Sequence, residues 1–387
     1  MPEEILTDHP DRFRALIVES GNPAHSVADS RRMRAAIEAL EFTLVIDVFM
    51  TETARLADYV LPATTQFEKF EASFFNFEFP RNVFHLRHPV LEPPAGPLDE
   101  PEIHSRILEA AGLVTADDVA PLRAAAEQGR AAFAAAFAAA TAAKPVLGAV
   151  APVLLYRTLG PTLPHGAASA AVLWAIAQRC ALLNPAGVEG AGFGTGPEAA
   201  ERLFDAILDH PSGVVITVDD HDAAWRRVST PDGRIQLAMP ELLAELHQLG
   251  DPPGGTAEWP FLLAAGERRS FTANTIFRDP AWRKRDGQEA LRIATADAER
   301  LGLADGDQVR VVTERGAATI QVSIDDRMHP GHISLPNGTG TDRLVDGERV
   351  VDGVAPNELT HSFQRDRFAG TPWHKTVPAR LEPITAT

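Results

Sequence analysis

The sequence predicts an α/β protein in which a parallel-sheet domain is followed by a small β-barrel. Two apolar runs, Ala15 to Val18 and Leu44 to Val48, flank a segment with helical spacing, the pattern of two parallel strands joined by a right-handed crossover helix. Beyond the linker Asp251-Pro252-Pro253-Gly254-Gly255, the chain changes to short strand candidates separated by glycine, aspartate and proline turns. With 387 residues and 45% hydrophobic content, it can bury two or three cores.

The first strand spans Arg14 to Glu19 and runs into the turn Gly21-Asn22-Pro23. A helix starts near Asp29 or Ser30, either of which can cap it, and Met33, Ile37 and Leu40 share one face. Leu44 to Val48 is apolar enough for a strand covered on both faces, and Thr51, Glu52 and Thr53 follow where it ends. Polar groups at a strand's carboxyl end are where open α/β sheets bind ligands. Ala54 to Asp58 suits about one helical turn, and Tyr59-Val60-Leu61-Pro62 returns as a strand stopped by proline. Parallel strands put both strand-end loops on one edge of the sheet.

The middle of the chain is alanine-rich. Ala124 to Ala143 has the best helical propensity, with Phe133 and Phe137 spaced to meet on one face. Prolines and glycines interrupt Pro145 to Gly166, a core helix fits Ala167 to Leu183, and another fits Pro197 to Asp209 with Leu203, Phe204, Ile207 and Leu208 inward. Val214 to Val218 reads as a buried strand. After the linker come strands at Phe261 to Ala265, Leu291 to Ala294, Gln308 to Thr313, Ala317 to Ile324 and Gly331 to Leu335, with a short helix from Thr295 to Leu301 capped by Thr295. These strands are expected to close into a small barrel.

Bulk properties exclude several functions. A net charge of -17 and a pI near 5.2 argue against a nucleic-acid partner or an anionic membrane surface. The single Cys180 allows neither a disulfide framework nor an iron–sulfur cluster on this chain, and its apolar helical context makes it a small core residue. The apolar stretch from Ala167 to Leu183 contains Gln178 and Arg179 and falls short of the roughly 20 residues that span a bilayer, so no membrane span is expected. The opening MPEEILTDHP lacks a secretory pattern, making cytoplasmic residence the default, although an export signal could lie on a missing N-terminal portion.

Four local patterns fall short of active sites. Gly190 to Gly196 has the wrong spacing for a nucleotide loop and reads as a connection. Asp219-Asp220-His221-Asp222 lacks calcium-loop spacing and reads as a solvated turn. His329 and His332 have no third ligand nearby, and there is no nucleophile elbow. Two basic clusters are more suggestive. Arg268 and Arg269 stand beside Ser270, Thr272 and Asn274, with Arg278, Arg283, Lys284 and Arg285 close behind, and the tail adds Asn357, Arg365, Arg367, His374 and Lys375. Guanidinium groups grip pyrophosphate in bidentate fashion, while ordinary surface solubilisation is the alternative for any one of them.

The motifs resemble the molybdopterin oxidoreductase family, of the dimethyl sulfoxide reductase, formate dehydrogenase and nitrate reductase type. Glu19-Ser20-Gly21-Asn22-Pro23 looks like its glycine-asparagine-proline loop, and Asp47 to Pro62 like its D-x-x-x-T-E-T-A-x-x-A-D-x-x-L-P signature. Leu262 to Ser270, Ala304 to Val309, Pro356 to Thr360 and Gly370 to Lys375 resemble the C-terminal molybdopterin dinucleotide-binding domain. The resemblance implies a partial Rossmann-like domain over residues 1–114, a mainly helical segment completing it over 115–255, and a double-psi β-barrel over 256–387. The implied cofactor is molybdopterin guanine dinucleotide, two per molybdenum or tungsten. Gly21, Asn22, Asp47, Thr51 and Thr53 are expected near a guanosine, and Glu267, Arg268, Arg269, Ser270, Thr272, Asn274, Asn337, Gly338, Asn357, His374 and Lys375 on the barrel side. Carboxylates can accept from guanine, and hydroxyls and backbone N–H groups can bind phosphate.

The family's metal ligand and iron–sulfur cluster lie upstream of the glycine-asparagine-proline loop, which stands close to Met1 here. No catalytic or metal-ligating residue is therefore assigned to this chain. It is expected to be the C-terminal portion of an oxidoreductase, inactive alone, with the N-terminal catalytic portion and an electron-transfer subunit as partners. The alternative is a non-catalytic pterin-binding or assembly module. Formate, nitrate and sulfoxide chemistry and a non-redox hydration stay open.

Overall fold

A computed structural model describes residues 1–73, 78–250, 254–267, 278–279 and 289–384. The chain forms two compact units, one of residues 1–60 with 248–387 and the other of residues 61–247. In chain order the elements begin with α1 (Pro2–Leu6), β1 (Ala15–Glu19), α2 (Pro23–Ser26), α3 (Ser30–Glu38), β2 (Phe42–Asp47), β3 (Tyr59–Pro62), β4 (Glu71–Ser73) and β5 (Arg81–Arg87). The helices α4 (Glu100–Ala110), α5 (Ala116–Glu127), α6 (Arg130–Ala143), α7 (Pro145–Ala149), α8 (Ala151–Thr158), α9 (Ala171–Leu183), α10 (Pro185–Gly190) and α11 (Pro197–Asp209) follow. Next come β6 (Val214–Val218), α12 (His221–Ala224), α13 (Pro240–His247), β7 (Phe261–Glu267), β8 (Leu291–Ile293) and α14 (Thr295–Leu301). The chain closes with β9 (Gln308–Thr313), β10 (Ala317–Ile324), β11 (His332–Pro336), β12 (Thr341–Val345), β13 (Glu348–Asp352) and β14 (Val377–Pro383). Among the described residues, no helix is long and apolar enough to cross a membrane.

In the first unit, β1 and β2 are parallel, with Ala15 opposite Phe42 and Glu19 opposite Ile46, and β3 lies beside β2. The connection is α3, capped by Asp29, whose side chain accepts from the Arg32 N–H at 3.1 Å. Asp29 adopts a left-handed φ of 61°, which aspartate tolerates better than most residues. Met33 and Ile37 face inward from α3, while Val18, Val45 and Ala54 pack together beside them.

The barrel belongs to the same unit. Its strand order is β10-β8-β11-β7-β14-β9, closed by the antiparallel pairing of β9 with β10. Its core is built by alternation: Phe261, Leu263 and Ala265 point inward from β7, Val309 and Val311 from β9, Ile333 and Leu335 from β11, and Ala379 and Leu381 from β14. Side chains of period two on short strands are what made these elements visible in the sequence. The hairpin β12–β13 and the closing strand β14 were not anticipated. The expected cap Thr295 is the first helical residue of α14, and Ala294 takes the cap position without a side-chain bond. Asp297 uses its carboxylate elsewhere, accepting from the Gly331 N–H at 2.6 Å.

In the second unit, Phe133, Leu154, Leu203 and Phe204 centre a helical core, flanked by the antiparallel strands β4, β5 and β6. Three expectations change here. The alanine-rich helix is two helices, because Gly129 turns to a φ of 114° between them, and α5 starts earlier at a capping box of Thr115 and Asp118. Strand β6 is mostly half-buried, since among the described residues it pairs only along β5. Asp219 is buried rather than solvated, accepting from Asn82 and Asn184 at 2.9 Å each and from Arg227. Cys180 is half-buried against the core, as expected for a small packing residue.

Candidate functional site

The two loops at the carboxyl ends of β1 and β2 meet, as parallel pairing requires. Asn22 Oδ1 accepts from the Thr53 backbone N–H at 3.1 Å and from the Thr53 hydroxyl at 2.8 Å, and Asn22 Nδ2 donates to Glu52 Oε2 at 2.6 Å. Thr53 is fully buried, and its hydroxyl also accepts from the Ala24 N–H at 3.0 Å. Thr51 is buried too and accepts from the Ala54 N–H at 3.1 Å, starting the short helical turn at Ala54–Leu56. Gly21 is packed so that a Cβ would lie 3.3 Å from Val18 Cγ1.

Asp47 ends β2 with a different character. One oxygen accepts from the Phe49 N–H at 3.0 Å, and burial raises its carboxyl above the ordinary range. Val48, Phe49 and Met50 after it are exposed, at 42%, 54% and 53%. A half-buried acceptor beside an exposed aromatic ring suits a flat heterocycle bearing N–H donors.

Residues of the chain after the linker, Arg278 together with Asp342 of the β12–β13 hairpin, join this loop pair through Glu52. Its Oε1 accepts from Arg278 at 2.9 Å and from the Asp342 backbone N–H at 3.0 Å, and Oε2 accepts from Arg278 at 2.9 Å. Burial by itself would raise the Glu52 carboxyl, but Arg278, the Asp342 N–H and Asn22 outweigh it and hold the group well below the usual carboxylate range. The Asp342 carboxylate takes Arg55 at 2.5 Å and Arg349 at 3.3 Å. Further ties run from Arg34 to Glu358 at 2.6 Å, from Arg315 to Asp29 at 2.6 Å, and from Asn357 Nδ2 to the His25 carbonyl at 3.0 Å. His25 is buried among these ion pairs, and burial pushes its imidazole down toward the neutral form.

The expected barrel-side residues form a second group at the ends of β7 and β11. The Asn337 N–H donates to the Glu267 carbonyl at 2.8 Å, Lys375 Nζ donates to the Gly266 carbonyl at 2.7 Å, and the His374 carbonyl accepts from the Ala265 N–H at 2.7 Å. The Glu267 carboxylate accepts from the Ser334 hydroxyl at 2.9 Å and from Arg292. Gly338 and Gly340 have φ of 77° and 75°, so the loop from Asn337 into β12 turns its backbone sharply. Next to it, the buried Thr341 hydroxyl has no hydrogen-bond partner among the described residues. Arg268, Arg269, Ser270, Thr272, Asn274, Arg283, Lys284 and Arg285 lie outside the described residues. Arg278, counted from sequence among the pyrophosphate-gripping cations, is instead engaged by Glu52 and Asp342.

Thus Asn22, Thr51 and Thr53 come together, Asn337, Gly338, Glu267, His374 and Lys375 stand along neighbouring barrel strands, and Asn357 reaches α2. Sequence reasoning missed Arg55 and Asp342, and it named Glu52 and Arg278 without pairing them. The available signal was Glu52 itself, a carboxylate between two threonines at the end of a buried strand. His329 and His332 are 6.5 Å apart between ring centroids, and no group of metal-binding side chains occurs among the described residues.

Residues 4–107 match the family model of molybdopterin oxidoreductases, and residues 261–378 match that of the molydopterin dinucleotide binding domain. The chain is 24% identical over 363 residues to the Bacillus subtilis "Probable oxidoreductase YoaE", covering 92% of this chain and 42% of that protein. It is 32% identical over 174 residues to the Escherichia coli dimethyl sulfoxide reductase DmsA, covering 44% of this chain and 20% of that protein. Its fold resembles acetylene hydratase from Pelobacter acetylenicus, with a TM-score of 0.62 and 16% identity over 99% of this chain and 46% of that one. The chain therefore spans less than half the length of these relatives. Two family models covering the sheet region and the barrel in turn, on the segments that carry the paired loops, place the chain in the molybdopterin oxidoreductase family, with molybdopterin dinucleotide as the cofactor of its barrel domain.

Proposed function

We propose that this chain is the C-terminal portion of a molybdenum or tungsten oxidoreductase, holding the guanine dinucleotide ends of a bis-molybdopterin cofactor. An N-terminal catalytic portion supplies the metal ligand and the iron–sulfur cluster, and an electron-transfer subunit passes electrons on. The observation that carries the reading is the joining of two strand-end loops, through Glu52, to Asp342 at the start of the β12–β13 hairpin that follows the barrel strand β11. Asp47 has the chemistry to accept from the N–H groups of guanine, with Phe49 as a stacking surface. The Asn337–Gly340 backbone, Lys375 and the unpartnered Thr341 hydroxyl are a donor set suited to pyrophosphate and ribose. When bound, the group supplies electron or oxygen-atom transfer at its metal. The chain's own residues bind and orient it. The barrel is read as the double-psi type and the sheet as the Rossmann-like half of a nucleotide domain.

The alternative is an assembly or storage module that binds pterin without redox chemistry. Burial raises the thiol of Cys180, the chain's single cysteine, so under either reading a thiolate ligand for the metal comes from outside this chain. Copurification decides. The chain is coexpressed with the polypeptide carrying the remainder of the fold, and GMP released by acid hydrolysis is measured beside molybdenum and tungsten. Two GMP per metal, together with dye-linked reductase or dehydrogenase activity, is expected of the oxidoreductase. Pterin without metal or activity fits the module, and absence of GMP refutes dinucleotide binding.

A further inference from the structure

Asn22 and Thr53 stand at the centre of the site, yet their polar atoms are turned inward on each other and on Glu52. Glu52 takes two bonds from Arg278, one from the Asp342 N–H and one from Asn22. A carboxylate has about four acceptor positions, so its capacity is used by three separate chain segments. Arg278 also donates to the Asp342 carbonyl at 2.8 Å, so its guanidinium bridges Glu52 and the start of β12, with Arg55 beside it 3.9 Å from Glu52 and 2.5 Å from the Asp342 carboxylate. The side chains of Glu52 and Arg278 are 15% and 14% exposed, so water screens the pair little.

We propose that Glu52 and Arg278 are positioning residues that lock the Asn22 and Thr51–Thr53 loops to the segment 337–342, which leads from the barrel strand β11 into the β12–β13 hairpin, fixing the guanosine-side and phosphate-side donors of a dinucleotide in one geometry. The proposal rests on the dinucleotide-binding reading above. Neither residue needs to touch the ligand. A preorganised site binds more tightly because the ordering cost is met during folding. Glu52→Gln would set an amide N–H₂ against donors from Arg278, Asp342 or Asn22, and Arg278→Gln would leave Glu52 and the Asp342 carbonyl without their shared partner.

The full chain is titrated with GDP, which carries the guanosine and pyrophosphate of the dinucleotide. Glu52→Gln and Arg278→Gln are each expected to weaken binding by at least about tenfold, and the double variant by little more than the worse single one, since the two act as a unit. Arg310→Gln, which breaks the exposed pair with Glu382, leaves affinity unchanged. In the unaltered protein GDP should slow amide exchange at Thr53 and Asp342 together, a readout independent of whether the variants fold. Folded single variants that keep wild-type affinity, or protection of only one of the two amides, would overturn the lock. Failure of the unaltered protein to bind GDP sinks the dinucleotide reading instead. The lock is then judged without ligand: Arg278→Lys must accelerate exchange at Thr53 and Asp342 jointly, and acceleration at neither or at one refutes it.

Discussion

Replacing Thr53 with valine or serine separates the hydroxyl from the methyl at the most buried point of the site. The hydroxyl accepts from the Ala24 N–H at 3.0 Å and donates to Asn22 Oδ1 at 2.8 Å, and the residue has no exposed surface. Valine keeps the volume and removes both bonds. Asn22 Oδ1 still holds the Thr53 N–H at 3.1 Å, so its loss is partial, but Ala24 is left with a buried donor and no acceptor. Leaving such a group unmet costs about 1–3 kcal/mol, and a lost neutral bond about 1 kcal/mol more, so Thr53→Val should cost roughly 2–4 kcal/mol. Serine keeps the bonds and gives up one methyl, about 1 kcal/mol. Native-state hydrogen exchange on the amides shared by β1 and β2 reads the change in the unit that contains Thr53, without interference from the helical unit. A valine variant as stable as the unaltered protein, or a serine variant less stable than valine, would refute the hydroxyl-centred account of the loop junction.

Gly340→Ala should prevent normal barrel folding, at a cost on the order of 4 kcal/mol or more; φ is 75° and the added Cβ would stand 2.1 Å from the Ala355 nitrogen, which circular dichroism and melting would register. Phe204→Ala in the helical core, fully buried with Arg130 stacked 5.4 Å from its ring centroid, should lose about 3–5 kcal/mol in urea titration. Asp47 and Glu52 should respond to pH in opposite senses. Burial raises the folded-state Asp47 carboxyl, so its ionisation costs stability once pH passes the unfolded carboxylate value; Asp47→Asn should raise the melting temperature of the ligand-free protein at pH 7, gain nothing at pH 3, and weaken GDP binding. The folded Glu52 carboxyl is lowered, so the stability it supplies is present above the unfolded value and is lost only as pH falls toward the folded one; the penalty of Glu52→Gln should shrink in strong acid.

Much of the local structure was legible. Apolar alternation located β7, β9, β10 and β11, and the spacing of Leu203, Phe204, Ile207 and Leu208 located α11 with its burying face. Polar residues after the β1 and β2 strands located the paired loops. What escaped has physical reasons. Gly129 splits the alanine-rich segment because one left-handed glycine outweighs uniform helical propensity. β14 alternates Val377, Ala379 and Leu381 inward, but Pro378 and Pro383 are poor strand residues, so it became clear as a strand only where β7 and β9 pair with it on either side. Arg278 looked like one phosphate-binding cation among several, because composition marks a charge and says nothing about the partner it meets.

By itself the sequence determined the order and type of most elements, the exposed chemistry of the strand-end loops, and the family motifs, since each depends on neighbours within a few residues. Tertiary structure alone decided that Glu52 and Arg278, 226 residues apart, form one bidentate pair, and that Asn22 and Thr53 spend their polar atoms on each other. Coulombic and hydrogen-bonding energies act over a few ångströms of space, and only the closure of the barrel and the register of β1 against β2 set those distances.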